Sequence, residues 1–304
     1  MSIRIVFMGT PEFAVPSLEK LLQAGYDIVG VITAPDKPAG RGLQLQQSAV
    51  KKFAEENGLK ILQPEKLKAS EFLKELRSLQ ADLQVVVAFR MLPEVVWNMP
   101  PMGTINLHAS LLPQYRGAAP INWAIINGEK ETGATTFKLQ HEIDTGNILL
   151  QERMRIGDDE TAGELHDRMK EAGGDLVVKT VDGFAAGTLK ETPQQLTTNL
   201  KLAPKLSTET SKIAWNKTAD EVYNLIRGLS PYPAAFTFLN GKTVKIYKAK
   251  KEITQPSIPA GEYETDKKTF LQFACTDGYI SITELQLEGK KKMKVEDFLK
   301  GYRF

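Results

Sequence analysis

Three short apolar runs, Ile3 to Met8, Ile28 to Thr33 and Leu83 to Phe89, stand in the first third of the chain, with helical spacing between them. Each run is a strand's length, and Val85-Val86-Val87 has none of the alternation of a strand with one wet face. A strand that is apolar on both faces needs helices above and below it, as in a parallel sheet. Phe13 to Ala24, Lys51 to Asn57 and Glu71 to Leu79 supply the helical patterns. The spacing therefore predicts a βαβ rhythm and an α/β, doubly wound, mainly parallel sheet, whose ligands bind beyond the carboxyl ends of its strands. Thr104 to Leu107 and Thr135 to Leu139 are further strands of this reading, and Ala162 to Val181 is a helix interrupted near Gly173-Gly174.

The pattern dissolves between Gly187 and Thr210 into Thr, Gln, Pro and Lys, the composition of a linker. After it, Ala219 to Arg227 reads as a short helix. Asn240-Gly241 and Asp277-Gly278 then sit between apolar runs, the strongest short hairpin signals. Tight hairpins predict a small antiparallel, OB-like β-barrel. A length of 304 residues suits two domains, with expected boundaries of 1–189, a linker at 190–208, and 209–304. The net charge of +2 conceals an asymmetry: 22 Lys and Arg face 25 Asp and Glu through Pro204, but 17 face 12 after it. A basic C-terminal third is either a solvated lysine surface or a grip for a polyanion.

One cysteine, Cys275, excludes an internal disulfide and points to a reducing compartment. The apolar run at Ile3 is too short for a secretory signal, and no stretch approaches the roughly 20 apolar residues of a membrane span. The expectation is a cytoplasmic monomer without membrane contact.

Gly9 follows a strand and precedes a helix, as in a dinucleotide site. The next glycine of that fingerprint is replaced by Pro11 and the third by Ala14, which excludes close approach of a pyrophosphate. The densest polar cluster is Asn106, His108 and Ser110, followed by Leu111-Leu112-Pro113 and Tyr115-Arg116-Gly117. Asn106 and His108 alternate at a strand's end, so both project from one face, where an amide and an imidazole can donate to one developing oxyanion. Asp144-Thr145-Gly146 follows the next strand. Its carboxylate either caps its own turn or orients His108 and keeps the imidazole charged. With three histidines and one distant cysteine, no His/Cys metal spacing exists.

Asn106, His108, Ser110-Leu111-Leu112-Pro113, Arg116-Gly117 and Asp144-Thr145-Gly146 together resemble the signature of the folate-dependent formyltransferases. The likeness extends through Phe7, Gly9-Thr10-Pro11 and the loop Pro35 to Gly42. It continues through Ala203-Pro204-Lys205-Leu206 and Pro231-Tyr232-Pro233 into the C-terminal domain of the members that act on tRNA. The resemblance implies a Rossmann-like catalytic domain that moves the formyl group of 10-formyltetrahydrofolate, without a metal, to methionine on initiator tRNA. Asn106, His108 and Asp144 would be catalytic, and Ser110, Leu111, Leu112 and Pro113 would form a wall of the folate pocket. Arg41, between two glycines in a long loop, with Lys205 and Lys248 of the basic tail, would hold tRNA. A hydrolase or a transferase acting on a small amine with the same catalytic face, or RNA binding on an inactive sheet domain, are the competing readings; the basic tail speaks against the first and the intact trio against the second. One departure stands out: Phe89-Arg90 occupies the place of the usual Tyr-Gly step, where Arg90 could reach the folate's acidic tail.

Overall fold

A computed structural model describes residues 3–39, 44–195 and 199–303. It divides into two compact units, one of residues 1–116, 133–154 and 167–201, the other of residues 117–132, 155–166 and 202–304.

The first unit is built on a seven-stranded sheet. Its spatial order is Ile148–Arg155, Glu131–Lys138, Thr104–His108, Leu83–Val87, Arg4–Gly9, Asp27–Ile32 and Ile61–Leu62. The five strands from Thr104–His108 to Ile61–Leu62 pair in parallel, while Glu131–Lys138 runs antiparallel to Thr104–His108. All five residues of Leu83–Val87 are buried, including the polar Gln84, whose Oε1 accepts from the Thr104 hydroxyl at 3.0 Å. Val6, Met8, Ile32 and Val86 join Phe72 and Leu76 of the helix Ser70–Ser78, and Leu79 just after it, in one apolar cluster. The helix Ala49–Glu56 begins where Ser48 accepts from the Lys51 N–H, a side-chain cap for an otherwise orphaned donor.

The glycine pair at 173–174 does not interrupt its helix, which runs unbroken over Ala162–Ala186. A Cβ on Gly173 would lie 2.7 Å from a Leu107 methyl, and one on Gly174 would lie 3.1 Å from the Pro16 backbone. The two glycines mark close approach of the helix to its neighbours, so their loss of helix propensity is offset by packing.

The second unit contains a six-stranded, barrel-like antiparallel sheet. Ala235–Leu239, Lys242–Ile253, Gly278–Leu287, Leu271–Ala274 and Tyr263–Thr265 are neighbours in that order, and Met293–Lys294 adds to Gly278–Leu287. Asn240 and Gly241 have φ of 49° and 76°, the left-handed pair that a two-residue hairpin needs. Asp277 behaves otherwise: its carboxylate accepts from the Ala219 N–H at 2.7 Å, at the start of the helix Ala219–Leu229. That helix lays Val222, Tyr223, Ile226 and Leu229 into a core shared with Val244, Ile246, Phe273, Ile280, Ile282 and Leu285. Asn122, on the helix Pro120–Ile126, donates to the Gly228 carbonyl at 2.8 Å, so a segment from mid-chain belongs to this unit.

The long strand Lys242–Ile253 pairs irregularly. Its register against Gly278–Leu287 slips around Lys248, leaving Tyr247 and Thr283 without direct opposites. Such bulges bend a strand and re-aim its side chains. Here they flank a cavity of about 650 Å³ lined by Asp159, Glu164, Tyr223, Arg227, Tyr247 and Lys248 among others. Arg227 is 4% exposed and donates to Asn224 Oδ1 and to the carbonyls of Gly157 and Glu160, which satisfies a charge that burial would otherwise penalise.

Candidate active site

The carboxyl end of Thr104–His108 carries the first two residues of the site. Its register pairs Asn106 with Val86 on one side and Phe137 on the other, and His108 with Thr135. Period two puts Asn106 and His108 on the same sheet face. His108 is buried, at 7% exposure, and its Nε2 lies 2.8 Å from the Tyr115 carbonyl oxygen. A carbonyl only accepts, so Nε2 carries the hydrogen of that contact. The other ring nitrogen, Nδ1, lies 3.9 Å from Asp144 Oδ2. That distance exceeds the roughly 3.2 Å outer limit of an N–H···O bond but is close enough for a charged imidazole to feel the carboxylate.

Both partners of His108 sit on backbone that is not regular. Tyr115 has φ of 59° and Asp144 has φ of 54°, left-handed values that an L residue adopts at a cost. Tyr115 is held there by its N–H, which donates to the Lys201 carbonyl at 2.6 Å. Two residues after Asp144, a Cβ on Gly146 would fall 1.7 Å from the Lys138 carbonyl oxygen, so the turn closes only over glycine.

Ser110, Leu111, Leu112 and Pro113 form the loop after His108, and Thr135 ties it down. The Thr135 hydroxyl donates to the Ser110 carbonyl at 2.6 Å and accepts from the Leu112 N–H at 3.1 Å. Gln151 Nε2 donates to the same hydroxyl and to the Leu112 carbonyl, both at 3.0 Å. Ser110 and Leu112 are buried, and the Ser110 hydroxyl donates to the Gln114 carbonyl at 2.6 Å. Leu111 packs on Gly133, where an added Cβ would meet its methyl at 2.6 Å. Beyond the neighbouring strand, Phe89 and Leu139 pack against the cluster that contains Leu92 and Val86, while Met91 and Ile143 expose apolar side chains. The Arg90 guanidinium turns elsewhere, onto the carbonyls of Pro64 and Glu65, and lies 5.5 Å from the Phe89 ring. Partial burial lowers its pKa.

The structure thus brings Asn106, His108 and Asp144 together in the first unit with the Ser110–Pro113 loop beside them. Arg41 lies outside the described residues. Lys205 and Lys248 are exposed residues of the second unit. Sequence reasoning missed Thr135, Gln151 and the Tyr115 carbonyl. A threonine in a strand reads as an ordinary strand former, and a backbone acceptor leaves no signal in residue type.

Residues 3–181 match the formyl transferase family, and residues 205–303 match the formyl transferase C-terminal domain. The chain is 57% identical to the methionyl-tRNA formyltransferase of Phocaeicola vulgatus over 311 residues, covering 99% of this chain and 96% of that one. Among solved structures, the sugar 3N-formyl transferase WlaRD, crystallised in the presence of dTDP and 5-N-formyl-THF, superposes with a TM-score of 0.69. It is 24% identical, with 96% of this chain and 100% of that chain covered. HypX from Aquifex aeolicus gives a TM-score of 0.67 at 19% identity; all of this chain aligns, but it spans only 49% of HypX. The last two likenesses establish the fold.

Proposed function

The chain belongs to the formyl transferase family, with methionyl-tRNA formyltransferases as close relatives, and from that membership we propose that it moves the formyl group of 10-formyltetrahydrofolate to the α-amino group of methionine on initiator tRNA. The observation that carries this reading is the shared face of Asn106 and His108 with the Asp144 carboxylate 3.9 Å from the imidazole. The folate, when bound, supplies an activated formyl carbon and a nitrogen leaving group.

As the amine lone pair adds to that carbon, the carbonyl π pair moves onto oxygen. Asn106 Nδ2 and His108 Nδ1 are the donors available to this oxygen. Nε2 is already committed to the Tyr115 carbonyl, so Nδ1 can donate only when the ring is doubly protonated. Asp144 stabilises that charged ring and accepts the amine's proton through water, delivering it to the departing nitrogen as the bond from carbon breaks. The Tyr115 carbonyl holds the His108 ring before reaction, so that ring needs little reorganisation when the charge appears.

The folate wall is assigned to Ser110, Leu111, Leu112 and Pro113, and tRNA contacts to Arg41, Lys205 and Lys248. Catalysis is assigned to residues 1–189 and tRNA holding to 209–304, joined by 190–208. The net charge of +5 after Pro204 supports that division. No helix among the described residues is long and apolar enough to cross a membrane. We assign the chain to the cytoplasm, supported by its single, buried cysteine, and propose that it acts as a monomer.

The test is incubation of the full chain with 10-formyltetrahydrofolate and methionyl-tRNA, with a free amine as control, and detection of formyl-methionine. His108→Ala and Asp144→Asn should each lower kcat at least about 100-fold with little change in KM for tRNA. Equal formylation of the free amine, or undiminished kcat in both variants, overturns the proposal.

A further inference from the structure

The segment before the second unit is built into the first. Thr192 pairs with Ile148 through two backbone hydrogen bonds, of 2.8 and 2.9 Å, and so extends the edge of the sheet. Glu191 accepts from Asn147 Nδ2 and from Lys138 Nζ, both at 3.0 Å, contacts that also hold its carboxyl below the usual range. Three residues after Glu191, Gln194 reaches the turn that carries Asp144.

Every hydrogen-bonding position of the Gln194 amide is used. Its Oε1 accepts from Arg116 Nε at 3.1 Å and Nη2 at 2.6 Å. Its Nε2 donates to the Asp144 carbonyl at 2.9 Å and the Gly146 carbonyl at 2.8 Å. The orientation of the amide is unambiguous, because a guanidinium only donates and the two carbonyls only accept. The charge on Arg116 polarises the amide and strengthens its donation to the turn.

The turn needs such a tie. Asp144 is left-handed without being glycine, Gly146 abuts the Lys138 carbonyl, and neither carbonyl belongs to a strand ladder. We propose that Gln194 is a positioning residue of the transfer reaction, fixing the Asp144 carboxylate beside His108 by tying the two carbonyls that flank Thr145 to Arg116. The inference rests on the formyl-transfer reading, in which Asp144 acts next to His108. It gives Arg116 of the sequence cluster a task, and it assigns a residue of the Thr- and Gln-rich stretch to the reaction.

The test compares Gln194→Ala and Gln194→Glu in the full chain, alone and with Asp144→Asn, by steady-state kinetics and by amide hydrogen exchange of residues 142–148. The Glu variant can still accept from Arg116 but has no donor for the carbonyls, so both variants should behave alike. Each should lower kcat about 10- to 100-fold, the scale expected for a misplaced catalytic group, and leave KM for folate and tRNA within about threefold. Exchange in the turn should rise about tenfold as local opening becomes easier. In the Asp144→Asn background, Gln194→Ala should cost less than about twofold more, because the group it positions is already disabled. A full effect in both backgrounds, or native kcat in Gln194→Glu, overturns the inference. A wild-type chain that transfers no formyl group overturns the functional reading beneath it, whereas normal wild-type transfer with unchanged kcat and exchange in both variants overturns the inference alone.

Discussion

The two units hold the polar groups assigned to the reaction and to tRNA in different ways. In the first, His108 and Ser110 are buried, Asp144 is largely so, and specific hydrogen bonds hold their surroundings: the Tyr115 carbonyl for His108, Thr135 and Gln151 for the Ser110–Leu112 loop, Gln194 among the contacts of the Asp144 turn. In the second, lysines line exposed strand positions, and several already have partners. Lys251 pairs with Asp220 and lies 5.2 Å from the Tyr223 ring, and Lys292 pairs with Glu284 at 2.7 Å and lies 5.0 Å from the Tyr247 ring. Lys248 makes no such close ion pair among the described residues, although its charge helps hold the Glu164 and Glu284 carboxyls below their usual range. Placement of an oxyanion donor depends on each contact, since misplacement by an ångström removes its benefit. Attraction of a polyanion depends on a sum of charges, in which one more or fewer changes little.

That contrast sets the sizes of the expected effects. Gly146→Ala should be severe, since its Cβ would lie 1.7 Å from the Lys138 carbonyl and the backbone must move. We expect a loss of at least about 2 kcal/mol in chemical denaturation and a fall in kcat of about 100-fold or more. A Gly146→Ala enzyme with native kcat would show that the Asp144 turn tolerates displacement, and the contrast between the units would collapse. Lys248→Ala should act through tRNA alone, raising its KM about fivefold and flattening the dependence of log affinity on log salt by about 0.9 for the single phosphate no longer neutralised. An equal rise in KM for folate would break the division of labour. Lys251→Ala should be the smallest, within about twofold of wild type in KM for tRNA, because its charge is already partnered. If it matched Lys248→Ala, internal pairing would not limit these lysines, and the second unit would act as an undifferentiated positive field.

Much of this was legible in the residues, unevenly. Leu83 to Phe89 announced a central strand because burial on both faces leaves a run that is apolar but for Gln84, and the strand occupies Leu83–Val87. Asn240-Gly241 announced its hairpin because few residue pairs tolerate two left-handed positions in succession. Gly173-Gly174 misled, since a glycine pair signals either a break or a close approach. Only the presence of Leu107 and Pro16 opposite it decides which. Asp277-Gly278 shows the same limit: it stands at a hairpin, but its carboxylate faces a helix start 58 positions earlier. The stretch after Gly187 read as linker for the same reason: Gln194 is an ordinary polar residue until Arg116, Asp144 and Gly146 surround it.

The sequence by itself determined the alternation of strands and helices, the two hairpins, the charge asymmetry, and the cluster from Asn106 to Asp144 that marks the family. Those are local or compositional properties, set by side-chain period, left-handed tolerance and residue type. Only the tertiary structure decided which nitrogen of His108 faces Asp144, which threonine and glutamines hold the loops, and that residues 117–132 and 155–166 join the second unit. Those outcomes depend on groups dozens of positions apart meeting within hydrogen-bond distance. Packing sets such meetings, and the local pattern of the chain does not encode them.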